Sequence, residues 1–226
     1  MKKRIIVGIS GASGVIYGVT LLTLLKDKEE IELMRKAAEL TSLGMQTAYE
    51  VLRAGMSEIE VAAEIEHTMR KHGSYGTAFD TAVSSGTVSA FPHGGCTERK
   101  IRKGELVVVD FGAVYRFYRS DMTRTLVAGK PSEKQVKLHA IVKKAQEKAL
   151  FAIKPNAKTT DVDAVARKII EAEGYGEYFV HGLGHGVGLD IHEPPTLNSA
   201  SKERLQIGNV VTNEPGIYLP NYGGVR

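Results

Sequence analysis

The run Val107-Val108-Val109-Asp110-Phe111-Gly112, answered by Ser120-Asp121-Met122-Thr123-Arg124, decides how this chain is to be read. Residues 105–111 form an apolar strand that ends in a carboxylate, and 117–127 continue the same sheet. A strand, a tight turn and a return strand bring Asp110 and Asp121 side by side. Two carboxylates in a partly buried pocket repel, and one of them takes up a proton. A divalent cation removes that conflict by supplying the opposite charge. On this pair alone, two unrelated aspartates in a surface hairpin account for the pattern equally well.

Further along comes His181-Gly182-Leu183-Gly184-His185-Gly186-Val187-Gly188, with His192 and Glu193 soon after. The glycines permit close backbone approach, so the imidazoles can converge on one point. Thr212-Asn213-Glu214-Pro215-Gly216-Ile217-Tyr218 sets a carboxylate at the end of an apolar strand, where Pro215 stops the ladder. Phe91-Pro92-His93-Gly94 puts another histidine on a glycine loop ahead of Asp110. Two aspartates, a histidine and a glutamate make a hard, oxygen-rich donor set with one nitrogen. It suits manganese, cobalt, iron or zinc. Two such cations can activate water and polarise a carbonyl oxygen, and amide hydrolysis is the reaction class that follows.

Around these motifs the periodicity is helical over 29–52, with Ile31, Met34, Ala38, Leu43, Ala48, Val51 and Leu52 as the apolar set and Gly55 as a left-handed cap. Ser57-Glu58-Ile59-Glu60 is a capping box that opens a helix to about His72. Residues 78–85 read as a strand. Ser132 with Gln135 starts a helix to about Ile153, and Thr160 with Asp163 starts another that ends near Gly174. A final strand region spans 210–218. The order helix, turn, capped helix, glycine, strand occurs at 29–85 and again at 133–190. Two related halves packed around a shared centre follow, and such a seam is a natural place for a site.

The 226 residues, 42% hydrophobic and 25% charged, suit one large domain or one domain with a short appendage. The net charge of +4 is scattered in short clusters that read as solvated faces, so no nucleic-acid partner is expected. The single cysteine, Cys96, excludes an intrachain disulfide and a cysteine-rich zinc site. It suits a reducing, cytoplasmic compartment. Its nearness to His93 raises thiol chemistry, but no second motif supports that. Lys2, Lys3 and Arg4 precede an uncharged run over 5–25 that superficially matches a signal or a membrane span. Its glycine-dense first half lacks a continuous apolar core, and no membrane partner is expected. The charge density changes at Lys26-Asp27-Lys28-Glu29-Glu30, which divides a segment 1–26 from a domain 27–226.

Taken together, Asp110, Asp121, the Gly184-His185-Gly186-Val187-Gly188 run and Asn213-Glu214-Pro215-Gly216-Ile217-Tyr218 resemble the pita-bread metallopeptidases. That family includes methionine aminopeptidases, Xaa-Pro aminopeptidases and proline dipeptidases. The wording from His181 to Glu193, and of Glu214 to Tyr218 with Gly223-Gly224-Val225-Arg226 following, is similar to the proline-directed branch, nearest to proline dipeptidases. The resemblance implies an α+β fold, with two pseudo-symmetric helix-helix-strand halves around a central antiparallel sheet. It implies two divalent metal ions, a small peptide substrate with proline at the second position, and a homodimer. It gives Asp110 to one metal, Asp121 to both, and His185 and Glu214 to the other. His93 and His192 would contact substrate and stabilise the tetrahedral intermediate. His181 would lie on the proline side, Glu214 would also shuttle a proton, and Tyr218 and Arg226 would brace Asp110.

Two departures stand beside the resemblance. In the family the Gly-Gly-Val-Arg run continues to a glutamate that bridges both metals, and here the sequence stops at Arg226. Weak metal binding and impaired activity are the expectation. Second, residues 3–18 resemble the start of flavin prenyltransferases, where Ser10, Gly11, Ser13 and Gly14 would cradle a phosphate. Nothing after Leu25 supports that resemblance, so flavin mononucleotide is not expected. The competing classes are a non-catalytic binding module of the same fold and, on residues 3–25 alone, a flavin-dependent prenyltransferase.

Overall fold

The computed structural model describes residues 6–7, 26–92 and 94–226. The candidate phosphate loop Ser10–Gly14, the rest of the run to Leu25, and His93 lie outside them. The elements are β1 (Ile6–Val7), α1 (Lys28–Val51), α2 (Glu58–Lys71), β2 (Gly76–Thr77), β3 (Ala82–Ser85), β4 (Leu106–Phe111), β5 (Ala113–Tyr115), β6 (Tyr118–Arg119), β7 (Met122–Val127), α3 (Glu133–Ala152), α4 (Thr159–Ala172), β8 (Gly184–Gly186), β9 (Glu193–Leu197), β10 (Val210–Val211), β11 (Ile217–Leu219) and β12 (Gly223–Val225). Among the described residues no helix is long and apolar enough to cross a membrane.

Strand β4 is the wall between two halves. It pairs antiparallel with β3 on one side and β7 on the other. Val107, Val109 and Phe111 enter the core beneath α1 and α2, beside Leu40, Ile65 and Met69. Leu106 points the opposite way, into the core beneath α3 and α4 with Leu138, Val142 and Ile170. Alternation along the strand gives Asp110 the same face as Leu106. The apolar face of the strand thus delivers a carboxylate to the seam.

The starts of α2 and α3 follow their sequence signals. Ser57 accepts from the Glu60 N–H at 3.3 Å while Glu60 Oε2 accepts from the Ser57 N–H at 2.6 Å. Ser132 and Gln135 repeat the arrangement at α3. Ser57→Ala is expected to cost about 1 kcal/mol, the usual value of such a cap, measured by urea denaturation. The Ser57 backbone N–H, then Lys100, holds the Glu60 carboxyl down at about 2. A depressed carboxyl contributes stability above its ordinary value of 4.5, and that contribution is lost as pH falls toward 2. Glu60→Gln should flatten this acid-side decline.

Other expectations need correction. Helix α1 ends on an extended Leu52, and Gly55, at φ +95°, serves the following turn instead of capping the helix. Helix α4 begins at Thr159 with Lys158 at its N-cap and no side-chain cap. Thr159 instead bonds Ser201 and the Glu203 carbonyl, and Asp163 is drawn into a tertiary contact. The strand expected over 78–85 is reduced to β3, preceded by the short β2. The strand expected over 117–127 breaks at Ser120. β6 joins β5 in a hairpin turned by Arg116 and Phe117, both with positive φ, while β7 stays with β4. The final region 210–218 splits into β10 and β11, and β12 folds back on β11.

Candidate metal centre

Asp110 and Asp121 flank the point where β4 and β7 part. Phe111 faces Met122 and Asp110 faces Thr123 across the ladder. A side chain at Gly112 would run into the Ser120 carbonyl, so only glycine lets the two backbones cross there. From the other half, β8 carries His185. The His185 N–H donates to Thr212 Oγ1 at 2.9 Å, and the Thr212 N–H donates to the His185 carbonyl at 2.8 Å. Thr212 Oγ1 then donates to Glu214 Oε1 at 2.7 Å. A side chain at Gly184 would meet the Thr212 carbonyl, which explains a glycine beside the histidine.

These elements bring one donor atom each from Asp121, His185 and Glu214 within 4.8 Å of one another. His185 Nε2 lies 3.4 Å from Asp121 Oδ2 and 3.2 Å from Glu214 Oε1. Its Nδ1 lies 2.9 Å from the Gly186 carbonyl, which can only accept, so Nδ1 carries hydrogen. Neutral His185 would therefore turn a lone pair on Nε2 toward two carboxylate oxygens. Acceptors facing acceptors are stable only with positive charge between them, a proton or a metal ion. The donor set fits a divalent cation on that ground.

Asp110 adjoins this trio. Thr123 Oγ1 donates to its Oδ1 at 2.7 Å, and the Arg226 guanidinium bonds its Oδ2 directly. Arg226 Nε also donates to Thr123 Oγ1 at 3.0 Å and lies 3.8 Å from Glu214 Oε2. Arg226 is itself fixed through its backbone to Thr125.

The charges are unevenly distributed. Burial pushes Asp121 up to about 7; His185 pulls it back, and the charges of Glu214 and Asp110 add to the rise. Burial also raises Asp110, against the pull of Arg226. Glu214 is equally buried, yet His185 and Arg226 prevail and hold it down at about 2. Burial opposes an imidazolium at His185, but Asp121 and Glu214 outweigh it and push the ring up to about 10.

The remaining expected residues divide. The ring of His192 packs against that of His185, centroids 4.3 Å apart. His181 stands off this trio, with Nε2 2.8 Å from the Tyr218 hydroxyl. Burial pushes that hydroxyl up to about 12, and Arg226 opposes the shift. Arg226 bonds Asp110 directly, and Tyr218 hydrogen-bonds both His181 and Arg226. Thr123 and Thr212 were not singled out from sequence. The signal existed, since Thr123 stands two residues from Asp121 and Thr212 two from Glu214, the spacing that puts strand side chains on one face.

Residues 32–226 match metallopeptidase family M24, and the chain belongs to that family. The architecture is the pita-bread fold. The Xaa-Pro dipeptidase of Pyrococcus furiosus is 47% identical over 205 residues, 91% of this chain and 59% of that protein. An uncharacterized peptidase of Bacillus subtilis is 42% identical over 212 residues, 94% of this chain and 60% of that protein. Among solved structures, the prolidase from Pyrococcus furiosus matches with a TM-score of 0.88 at 48% identity, covering 89% of this chain and 60% of that one. The X-Pro aminopeptidase from Thermotoga maritima matches with a TM-score of 0.87 at 44% identity, covering 89% of this chain and 57% of that one. The chain thus spans about 59% of the length of the first curated relative.

Proposed function

We propose that this chain carries the hydrolytic centre of a metal-dependent exopeptidase that cleaves Xaa-Pro bonds. The observation that carries the reading is the meeting of Asp121, His185 and Glu214 beside Asp110, an arrangement that requires a proton or a metal ion between the imidazole and the carboxylates. In this reading Asp121, His185 and Glu214 hold one divalent ion, and Asp110 with Asp121 offers carboxylates to a second. When bound, such ions polarise the scissile carbonyl and lower the pKa of attacking water. Glu214 holds and returns the proton of that water, since Thr212 and His185 orient its Oε1. His192, packed on His185, contacts the reacting carbonyl, and His93 shares that role. Arg226 and Thr123 keep the Asp110 carboxylate aimed. Preference for proline at the second position rests on the similarity to the Xaa-Pro dipeptidases of Pyrococcus furiosus and Pyrococcus horikoshii.

The test is calorimetric titration with Mn²⁺ and Co²⁺, paired with cleavage assays on alanyl-proline and alanyl-alanine. Saturable but weak metal binding is expected, with slow cleavage of alanyl-proline only, lost to EDTA and restored by metal. A metal-loaded chain that binds ions saturably but cleaves neither peptide overturns the activity. Absence of saturable binding overturns the centre itself.

A further inference from the structure

Asp163 and Arg167 lie one turn apart on α4, and Asp163 is 1% exposed. The aspartate accepts from Arg167 Nε and Nη2, each at 2.9 Å, and from the Leu183 N–H at 3.1 Å. The guanidinium spends further donors on backbone. Nη1 donates to the Phe179 carbonyl at 2.9 Å and Nη2 to the His181 carbonyl at 2.8 Å. Its plane also covers the Phe179 ring at 4.2 Å. The pair therefore grips residues 179, 181 and 183 in succession. Phe179 packs edge-on against His181, ring centroids 5.2 Å apart. A planar fork with several fixed donors can make all these bonds at once, and an ammonium cannot.

The hold on His181 differs from the hold on the metal donors. His185 is fixed by its exchange of hydrogen bonds with Thr212, and Asp121 immediately precedes Met122, the first residue of the β4–β7 ladder. We propose that Arg167, locked onto Asp163, is the positioning residue that sets the backbone from which His181 presents its imidazole to the Tyr218 hydroxyl. Its kinetic consequence rests on the peptidase reading; the clamp itself does not.

The experiment uses Arg167→Lys in the full chain, which keeps the charge beside Asp163 and loses the fork. Three quantities are measured: bound Mn²⁺ per chain, the ¹⁵N signals of the histidine rings without metal, and KM and kcat on alanyl-proline. Metal content is expected to match the parent, the His181 signals to move and those of His185 to stay. KM is expected to rise about ten-fold, in line with the cost of sub-ångström misplacement, with kcat changed less. The double variant Asp163→Asn/Arg167→Gln, which leaves no buried charge unpaired, is expected to show the same split. Arg99→Lys removes a comparable fork from Glu105 in the other half and should alter neither KM nor the His181 signals. Unmoved His181 signals in Arg167→Lys overturn the proposal, as does an equal KM rise in Arg99→Lys. A metal-loaded parent chain that cleaves nothing counts against the peptidase reading alone; the ring signals then decide the clamp.

Discussion

His185→Ala and Asp121→Asn are each expected to lower kcat/KM on alanyl-proline by about a thousand-fold, because each withdraws a donor from a centre worth several kcal/mol in the transition state. Their effects on the metal-free fold should oppose one another. His185 places an imidazolium between Asp121 and Glu214, so alanine there leaves two buried carboxylates facing each other. The metal-free melting temperature should fall. Asp121 behaves otherwise. Its carboxyl is raised from 3.8 to about 7, so its favourable contribution is complete below 3.8 and is lost as pH rises through 7. At pH 8 the ionised group is a burden on the order of a few kcal/mol. Asparagine removes that burden, and the metal-free melting temperature should rise. Calorimetric melts of both variants in EDTA at pH 8 check the pair. Shifts of the same sign would refute this electrostatic account of the site.

The second large effect is expected at Glu58, which is fully buried at the start of α2. Oε1 accepts from the Ser85 N–H at 2.8 Å and from its hydroxyl at 2.7 Å. Oε2 accepts from the Thr97 N–H at 3.1 Å and from its hydroxyl at 2.7 Å. One carboxylate thus ties together both ends of the 86–96 loop. Glu58→Ala strands these donors in a dry pocket. Hydrogen bonds to a charged group are worth about 1.5–3 kcal/mol each and are not additive, so a loss of about 4 kcal/mol is expected. That corresponds to a fall in melting temperature of roughly 10 °C for a chain of this size. Glu58→Gln should recover little, since its amide nitrogen would face donors. Thermal denaturation followed by circular dichroism decides it; a fall of under 3 °C would show that water reaches the pocket.

The part of this molecule that sequence makes legible is the part governed by neighbours along the chain. Ser57 with Glu60, Ser132 with Gln135, and the apolar run before Asp110 act locally, and each appears where its pattern places it. The order of Asp110, Asp121, His185 and Glu214 also carries the site, since each follows or sits within a strand that ends at the seam. What escapes is set by distant contacts. Asp163 imitates the third residue of a capping box, but its partners are Arg167 and the Leu183 N–H. Arg116 and Phe117 turn a hairpin without the glycine or asparagine that normally announces one, so the break at Ser120 has no local signature. Glu58 reads as a helix-start residue, and only the folded chain shows it holding a loop.

Asp110 and Asp121 leave the ribosome well before His185 and Glu214; β4 carries the first and the residue ahead of β7 is the second, and both await a half that has yet to be made. A nascent chain therefore carries only an unarmed fragment of the hydrolytic centre proposed here. The donor atoms of Asp121, His185 and Glu214 meet only when the later half docks on the earlier one.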